Sequence, residues 1–128
     1  MEKTKVIARF KDASLVKGYT GDFFPNKKNF HLEQLNGEAV NIDTEQLKAV
    51  FFVKDFTGNK NHEDTYSDAV PGGGKKIQIK FKDGELVIGF AQSYSPNRHG
   101  FFVIPADAQN NNERIFVITS ATEEVTFL

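Results

Sequence analysis

Apolar and polar residues alternate strictly along Lys75–Phe81, "KKIQIKF", with Ile77, Ile79 and Phe81 on one side and Lys76, Gln78 and Lys80 on the other. A period of two with one apolar side is the signature of a half-buried strand. The strand runs into Lys82-Asp83-Gly84, a hairpin-turn signal, and then into "ELVIGFAQSY", a second strand with Gly89 inside it. A glycine within a strand marks a bend, a bulge or a place where a side chain would obstruct the chain. Residues 100–104, 114–118 and 123–128 supply three more short apolar runs, so five strands are predicted for the second half of the chain.

The first half repeats this pattern. Shifting the chain by 71 positions aligns residues 5–32 with 76–103 without a gap, and ten of those 28 positions are identical, including Phe10-Lys11-Asp12 with Phe81-Lys82-Asp83, Gly18 with Gly89 and Pro25-Asn26 with Pro96-Asn97. A shift of 75 then aligns Val40, Ile42, Val50, Phe52 and Val53 with Ile115, Val117, Val125, Phe127 and Leu128. The predicted organisation is therefore an internal duplication: a first repeat over 1–54, a Gly/Asp/Asn-rich flexible linker over 55–74, and a second repeat over 75–128. Only a short polar turn separates the fourth and fifth strands of each copy, enough for a single 3₁₀ turn and too little for a helix. Ala13 stands where the second copy has Gly84, so the two hairpin turns are expected to differ in backbone geometry, Ala resisting the positive φ that Gly accepts.

The order of elements in "IQIKFKDGELVIGFAQSY", followed by "RIFVITSATEEVTFL" or "AVNIDTEQLKAVFFV", resembles the two motifs of the Sm-like (LSm) small β-barrel. The segment "LKAVFFVKDFTGN" is also similar to uncharacterised bacterial proteins. The fold expected is all-β, two tandem five-stranded Sm-like barrels, with an SH3-like or other small barrel as the competing arrangement. Sm-like proteins that bind RNA carry an Asn in the loop after the second strand and Arg-Gly between the last two. Asn29 stands at the Asn position of the first copy and Gly100 at that of the second, and neither "IDTEQL" nor "ITSATEE" contains Arg-Gly. The resemblance therefore does not carry the family's uridine pocket over to either copy.

Composition narrows the chemistry. With 13 Phe, 3 Tyr, no Trp and one Met, the core is phenylalanine-rich and favours strands. A formal net charge of -1 removes the overall basic footprint of a duplex-DNA binder, and the absence of cysteine excludes disulfides, thiolate metal sites and a Cys nucleophile. No apolar run approaches the roughly 20 residues of a membrane helix, so a cytoplasmic protein is the expectation.

Chemistry-bearing residues concentrate in the duplicated loops after the second strands. Asn26, Lys27 and Lys28 match Asn97, Arg98 and His99, with Phe24, Asn29 and Tyr94 beside them. Basic side chains next to aromatics suit phosphate contact and base stacking. The plainer reading is a pair of solvated turns fixed by Pro-Asn. Asp12 and Asp83 read as turn residues, His62-Glu63-Asp64 as solvated linker rather than a metal site, and "PGGGKK" lacks the context of a phosphate loop. Neither an enzyme nor a cofactor is expected. The reading favoured is a non-catalytic binding or scaffold module that engages a protein or regulatory partner or associates with itself through edge strands; the alternative is a single-stranded RNA-binding protein using the Pro-Asn-basic loops.

Overall fold

The computed structural model describes residues 3–56, 75–91, 94–95, 97–106 and 111–128. The strands in chain order are β1 (Thr4–Phe10), β2 (Leu15–Thr20), β3 (Asn29–Gln34), β4 (Ala39–Asp43), β5 (Leu47–Val53), β6 (Lys75–Phe81), β7 (Leu86–Ala91), β8 (Gly100–Pro105), β9 (Asn112–Ile118) and β10 (Thr122–Phe127). Single 3₁₀ turns at Thr44–Gln46 and Thr119–Ala121 join β4 to β5 and β9 to β10, as the polar spacers predict. Most of the linker, from residue 57 to 74 and including His62, Glu63 and Asp64, lies outside the described residues.

All ten strands pair antiparallel in one open sheet, in the order β10-β6-β7-β8-β9-β5-β1-β2-β3-β4. Each half has the same internal order, its fifth strand beside its first. The halves are not two separate closed barrels. Their ladders continue into each other where β5 pairs with β9, from Ala49↔Val117 to Val53↔Asn112. The cause is visible in "LKAVFFV": every residue of β5 is apolar or buried, on both faces, and a strand without a polar face must be covered on both sides. An uncovered face would leave Phe51 and Val53 or Val50 and Phe52 in water, each costing about 1.5–3 kcal/mol.

The two faces of β5 feed two different cores. Val50 and Phe52 join Val6, Ala8, Phe30, Leu32 and Ile42 of the first half, together with Phe116 and Ile118 contributed by β9 of the second. Ala49, Phe51 and Val53 join Ile77, Ile79, Phe81, Phe101, Val103, Ile115 and Val117 of the second half. Each core thus borrows a strand from the other half. Among the described residues no helix is long and apolar enough to cross a membrane.

The hairpin turns correct one expectation. Ala13 has φ 77° and Gly84 φ 95°, and the closing bonds match: the Phe10 N–H donates to the Ser14 carbonyl and the Phe81 N–H to that of Glu85, both at 2.9 Å. The two turns share one backbone geometry, imposed by the paired strands on either side, and Ala13 bears the strain. The strand glycines have a different cause. A Cβ on Gly18 would lie 2.1 Å from the Glu33 carbonyl oxygen, and one on Gly89 would lie 2.4 Å from that of Ile104. There the third strand of each half crosses too close for any side chain.

Candidate functional site

The duplicated loops follow β2 and β7. The first places Phe24, Asn26, Lys27, Lys28 and Asn29 on the surface. It is held by the Lys27 N–H, which donates to the Phe24 carbonyl at 3.1 Å, and Lys27 Nζ sits 5.6 Å from the centre of the exposed Phe24 ring. In the second loop Asn97, Arg98 and His99 are exposed, and Pro96 lies outside the described residues.

Thr44, at the start of the first 3₁₀ turn, brings the loops together. Its Oγ1 donates to the Lys28 carbonyl at 2.7 Å and lies 2.7 Å from His99 Nε2. A hydroxyl has one proton, so His99 must donate through Nε2–H. The backbone repeats the arrangement, with the N–H of Thr44 on the Lys28 carbonyl at 2.8 Å and that of Thr119 on the His99 carbonyl at 2.9 Å. The two loops that carry Lys27, Lys28, Arg98 and His99 therefore meet at one buried hydroxyl, through the Lys28 carbonyl and the His99 ring. Glu45 faces Lys28 at 3.4 Å and tempers that charge. Nearby Asp22 accepts from the His31 backbone N–H at 2.9 Å. Partial burial pushes its carboxyl up, and the bonds from the His31 ring and backbone and from Thr20 outweigh that and hold it below its usual value.

Two predicted residues have other duties. Tyr94 packs edge-on against Phe101 at 4.8 Å and Phe127 at 5.8 Å, so it is a wall of the second core rather than a free stacking platform. Its counterpart in the repeat is Phe23, which is packed in the same way against Phe30 and Phe116, both at 5.2 Å. Gly100 replaces Asn29 for a steric reason: a Cβ there would stand 2.6 Å from the Phe116 ring. Phe24 is the aromatic left exposed in this loop pair.

Phenylalanines weld the join beneath the loops. Phe102 lies 6.0 Å from Phe52 and 5.0 Å from Phe116, and the Arg114 guanidinium sits over Phe52 at 4.3 Å and Phe102 at 4.7 Å. At the far end Lys48, buried, reaches from β5 to Asp83 at 2.7 Å and to Glu85 on the opposite hairpin. The Lys48 hydrogen bond, then the Glu85 backbone N–H, hold the Asp83 carboxyl below its ordinary value against a small burial effect. Thr44 and Lys48 were not among the predicted site residues. Thr44 carried a signal, its identity with Thr119 at the shift of 75; Lys48 carried none, because its counterpart is Glu123.

Among the described residues, no group of three or more His, Cys, Asp or Glu side chains is placed to hold a metal ion. A family of unknown function, DUF6982, matches residues 2–128. The chain belongs to that family. No curated protein and no solved structure matches the chain.

Proposed function

We propose that the chain is a non-catalytic binding module made of two Sm-like halves fused edge to edge, and that it works through the loop pair gathered at Thr44. The observation that carries this is the shared hydroxyl: Lys28 of one loop and His99 of the other bond the same Thr44 Oγ1, so the loops form one composite surface. Four basic side chains, the exposed ring of Phe24, and the Asn26, Asn29 and Asn97 amides suit an extended strand with anionic links and planar groups. Single-stranded RNA has that chemistry. The absence of Arg-Gly and the packed position of Tyr94 imply a backbone-dominated mode with one stacked base rather than the uridine pocket of RNA-binding Sm-like proteins.

The test is titration of short single-stranded RNAs at low and moderate salt, wild type against the combined Lys27→Ala, Lys28→Ala and Arg98→Ala variant. Wild-type binding should weaken with salt, and each cation removed should lower the slope of log K against log salt by about 0.7. No binding, or binding that the triple change leaves alone, refutes the RNA reading.

A protein partner on the same scaffold is the second reading, favoured by the end of β10. Phe127 and Leu128 are more than half exposed there, beside Tyr94 and under Lys75 at 5.6 Å, on an edge with no strand beyond it among the described residues. An extended peptide would add to that edge by main-chain pairing. A partner whose binding protects the Val125 and Phe127 amides from hydrogen exchange, and survives the triple loop variant, would select this reading.

A further inference from the structure

Away from the loop pair, the join carries a half-open cavity of about 200 Å³. Phe81 and Ala121, both buried, lie beneath it. Its rim comes from both halves. Lys11, on the first hairpin turn, reaches across to the Ser120 hydroxyl at 2.7 Å, and Lys48 enters from β5 with its ammonium 4.7 Å above the centre of the Phe81 ring. Lys82, on the second hairpin turn, is fixed by its backbone N–H on the Ala121 carbonyl at 3.0 Å. The cavity exists only because β5 and β9 are paired; neither half could form it alone.

Charge and size define what would fit. Three lysines line the cavity, and two carboxylates, Asp83 and Glu85, are both engaged with Lys48. One positive charge is therefore left over, carried by Lys11, whose neighbour is a neutral hydroxyl, and by Lys82, which has no ion-pair partner among the described residues. Apolar surface from Ala121 and the lysine stems, beside uncompensated cations, calls for a ligand with an apolar body and an anionic head. The volume is below the roughly 300–1,000 Å³ of sites for drug-sized ligands, which limits the ligand to a compact molecule.

We propose that this cavity is a binding site for a small organic monoacid, with an aromatic or branched aliphatic body against Ala121 and the side-chain stems of Lys11 and Lys48, which overlie the buried Phe81 ring, and its carboxylate within reach of Lys11 and Lys82. Lys48 forms the wall that sets the depth, its own charge already matched by Asp83 and Glu85. The Ser120 hydroxyl, held by Lys11 in the free protein, turns to donate to the incoming carboxylate. None of this depends on the loop pair, and the site stands whether or not RNA binds.

The probe is benzoate, with benzyl alcohol as the uncharged control of the same shape, followed by amide chemical shifts in a two-dimensional NMR titration. Benzoate at millimolar concentration should shift the amides of Lys82, Ser120 and Ala121, and benzyl alcohol should bind at least tenfold more weakly. Lys11→Gln and Lys82→Gln, each on an exposed turn and checked for folding in the same spectra, should each weaken benzoate by about tenfold, the scale of one charge-assisted hydrogen bond. The proposal is overturned if benzoate leaves these amides unmoved, if the alcohol binds as well as the acid, or if both lysine variants bind benzoate like the wild type.

Discussion

Replacing Ala13 by glycine should stabilise the protein, although it removes a side chain. Ala13 holds φ 77°, a left-handed conformation that costs a residue with a Cβ about 1–2 kcal/mol. Glycine removes that cost and gives back about 0.4–1 kcal/mol through the greater freedom of the unfolded chain. The difference is a gain of about 0.5–1 kcal/mol, or roughly 2–6 °C in Tm for a chain of this length. The second hairpin supplies the reverse experiment in the same molecule. A Cβ on Gly84 would meet nothing within 4 Å, so Gly84→Ala adds backbone strain without a clash and should lose what Ala13→Gly gains. Urea unfolding of both single variants and the double variant is the measurement, the double lying close to wild type because the sites are independent. If Ala13→Gly leaves the midpoint unchanged or lowers it, the turn does not hold alanine under strain and the shared geometry of the two hairpins is wrong.

Other outcomes follow from the same geometry. Gly18→Ala and Gly89→Ala should each cost about 3 kcal/mol or more, since the new methyl meets a carbonyl oxygen at 2.1 or 2.4 Å and a backbone cannot yield as a side chain does; thermal melts would show it, and a loss below 1 kcal/mol would contradict the close crossing. Phe116→Asn, which gives β9 the residue of its counterpart Asn41, should cost about 3–5 kcal/mol by emptying the join, read by chemical denaturation. Asp83 has a depressed carboxyl, so the unfolded chain takes up its proton first as pH falls; its stabilisation is complete above the ordinary Asp pKa of about 3.9 and is lost as pH drops through the lower folded value. Asp83→Asn should therefore be less stable than wild type at neutral pH and lose less stability on acidification below about pH 4, and equal acid slopes would show that the Lys48 bond does not hold the carboxylate.

Strands, turns and their order were legible because local signals carry them: alternation in "KKIQIKF", a glycine where no Cβ fits, and polar spacers too short for helices. What could not be read was how the halves meet. "LKAVFFV" is apolar on both faces, and that run already says that β5 is central, but its partner depends on Phe102, Phe116 and Ile118, which look like ordinary core residues of the second copy until their counterparts His31, Asn41 and Asp43 are set beside them. Repetition drew attention to the loops, but not to the meeting of Lys28 and His99 at Thr44, because that depends on the β5–β9 pairing that carries His99 there. The shift of 71 sets Tyr94 opposite Phe23, and the two rings pack alike against the edges of their cores.

The same comparison bears on whether chains join end to end. The free edges, β4 and β10, are the counterparts of β9 and β5, so a second chain could in principle repeat the internal join, β10 of one molecule against β4 of the next. Applying the repeat shifts sets Glu124 opposite Ile42 where Ala49 meets Val117, and replaces buried Phe51 by Thr126, Phe116 by Asn41 and Ile118 by Asp43. At the hairpin end, where Lys48 meets Asp83, Glu123 would meet Asp12. One observation favours the repeat: the Thr119 hydroxyl is buried without a hydrogen-bond partner, and a neighbour's Lys28 would fall beside it as His99 does beside Thr44. That bond contributes about 1 kcal/mol, more if charged, against several for burying Glu124 unpaired and a like-charge contact besides. Charges pointing inward from edge strands are a known barrier to edge-to-edge association. The wild type should therefore remain monomeric in light scattering at tens of micromolar, while a variant with Glu123→Lys, Glu124→Ala and Asn41→Phe, which restores three residues of the internal join, should associate as concentration rises. A wild-type dimer or ring broken by Ile42→Asp on the β4 edge would refute the argument, and would mean that one hydrogen bond and the backbone ladder outweigh the misplaced carboxylates.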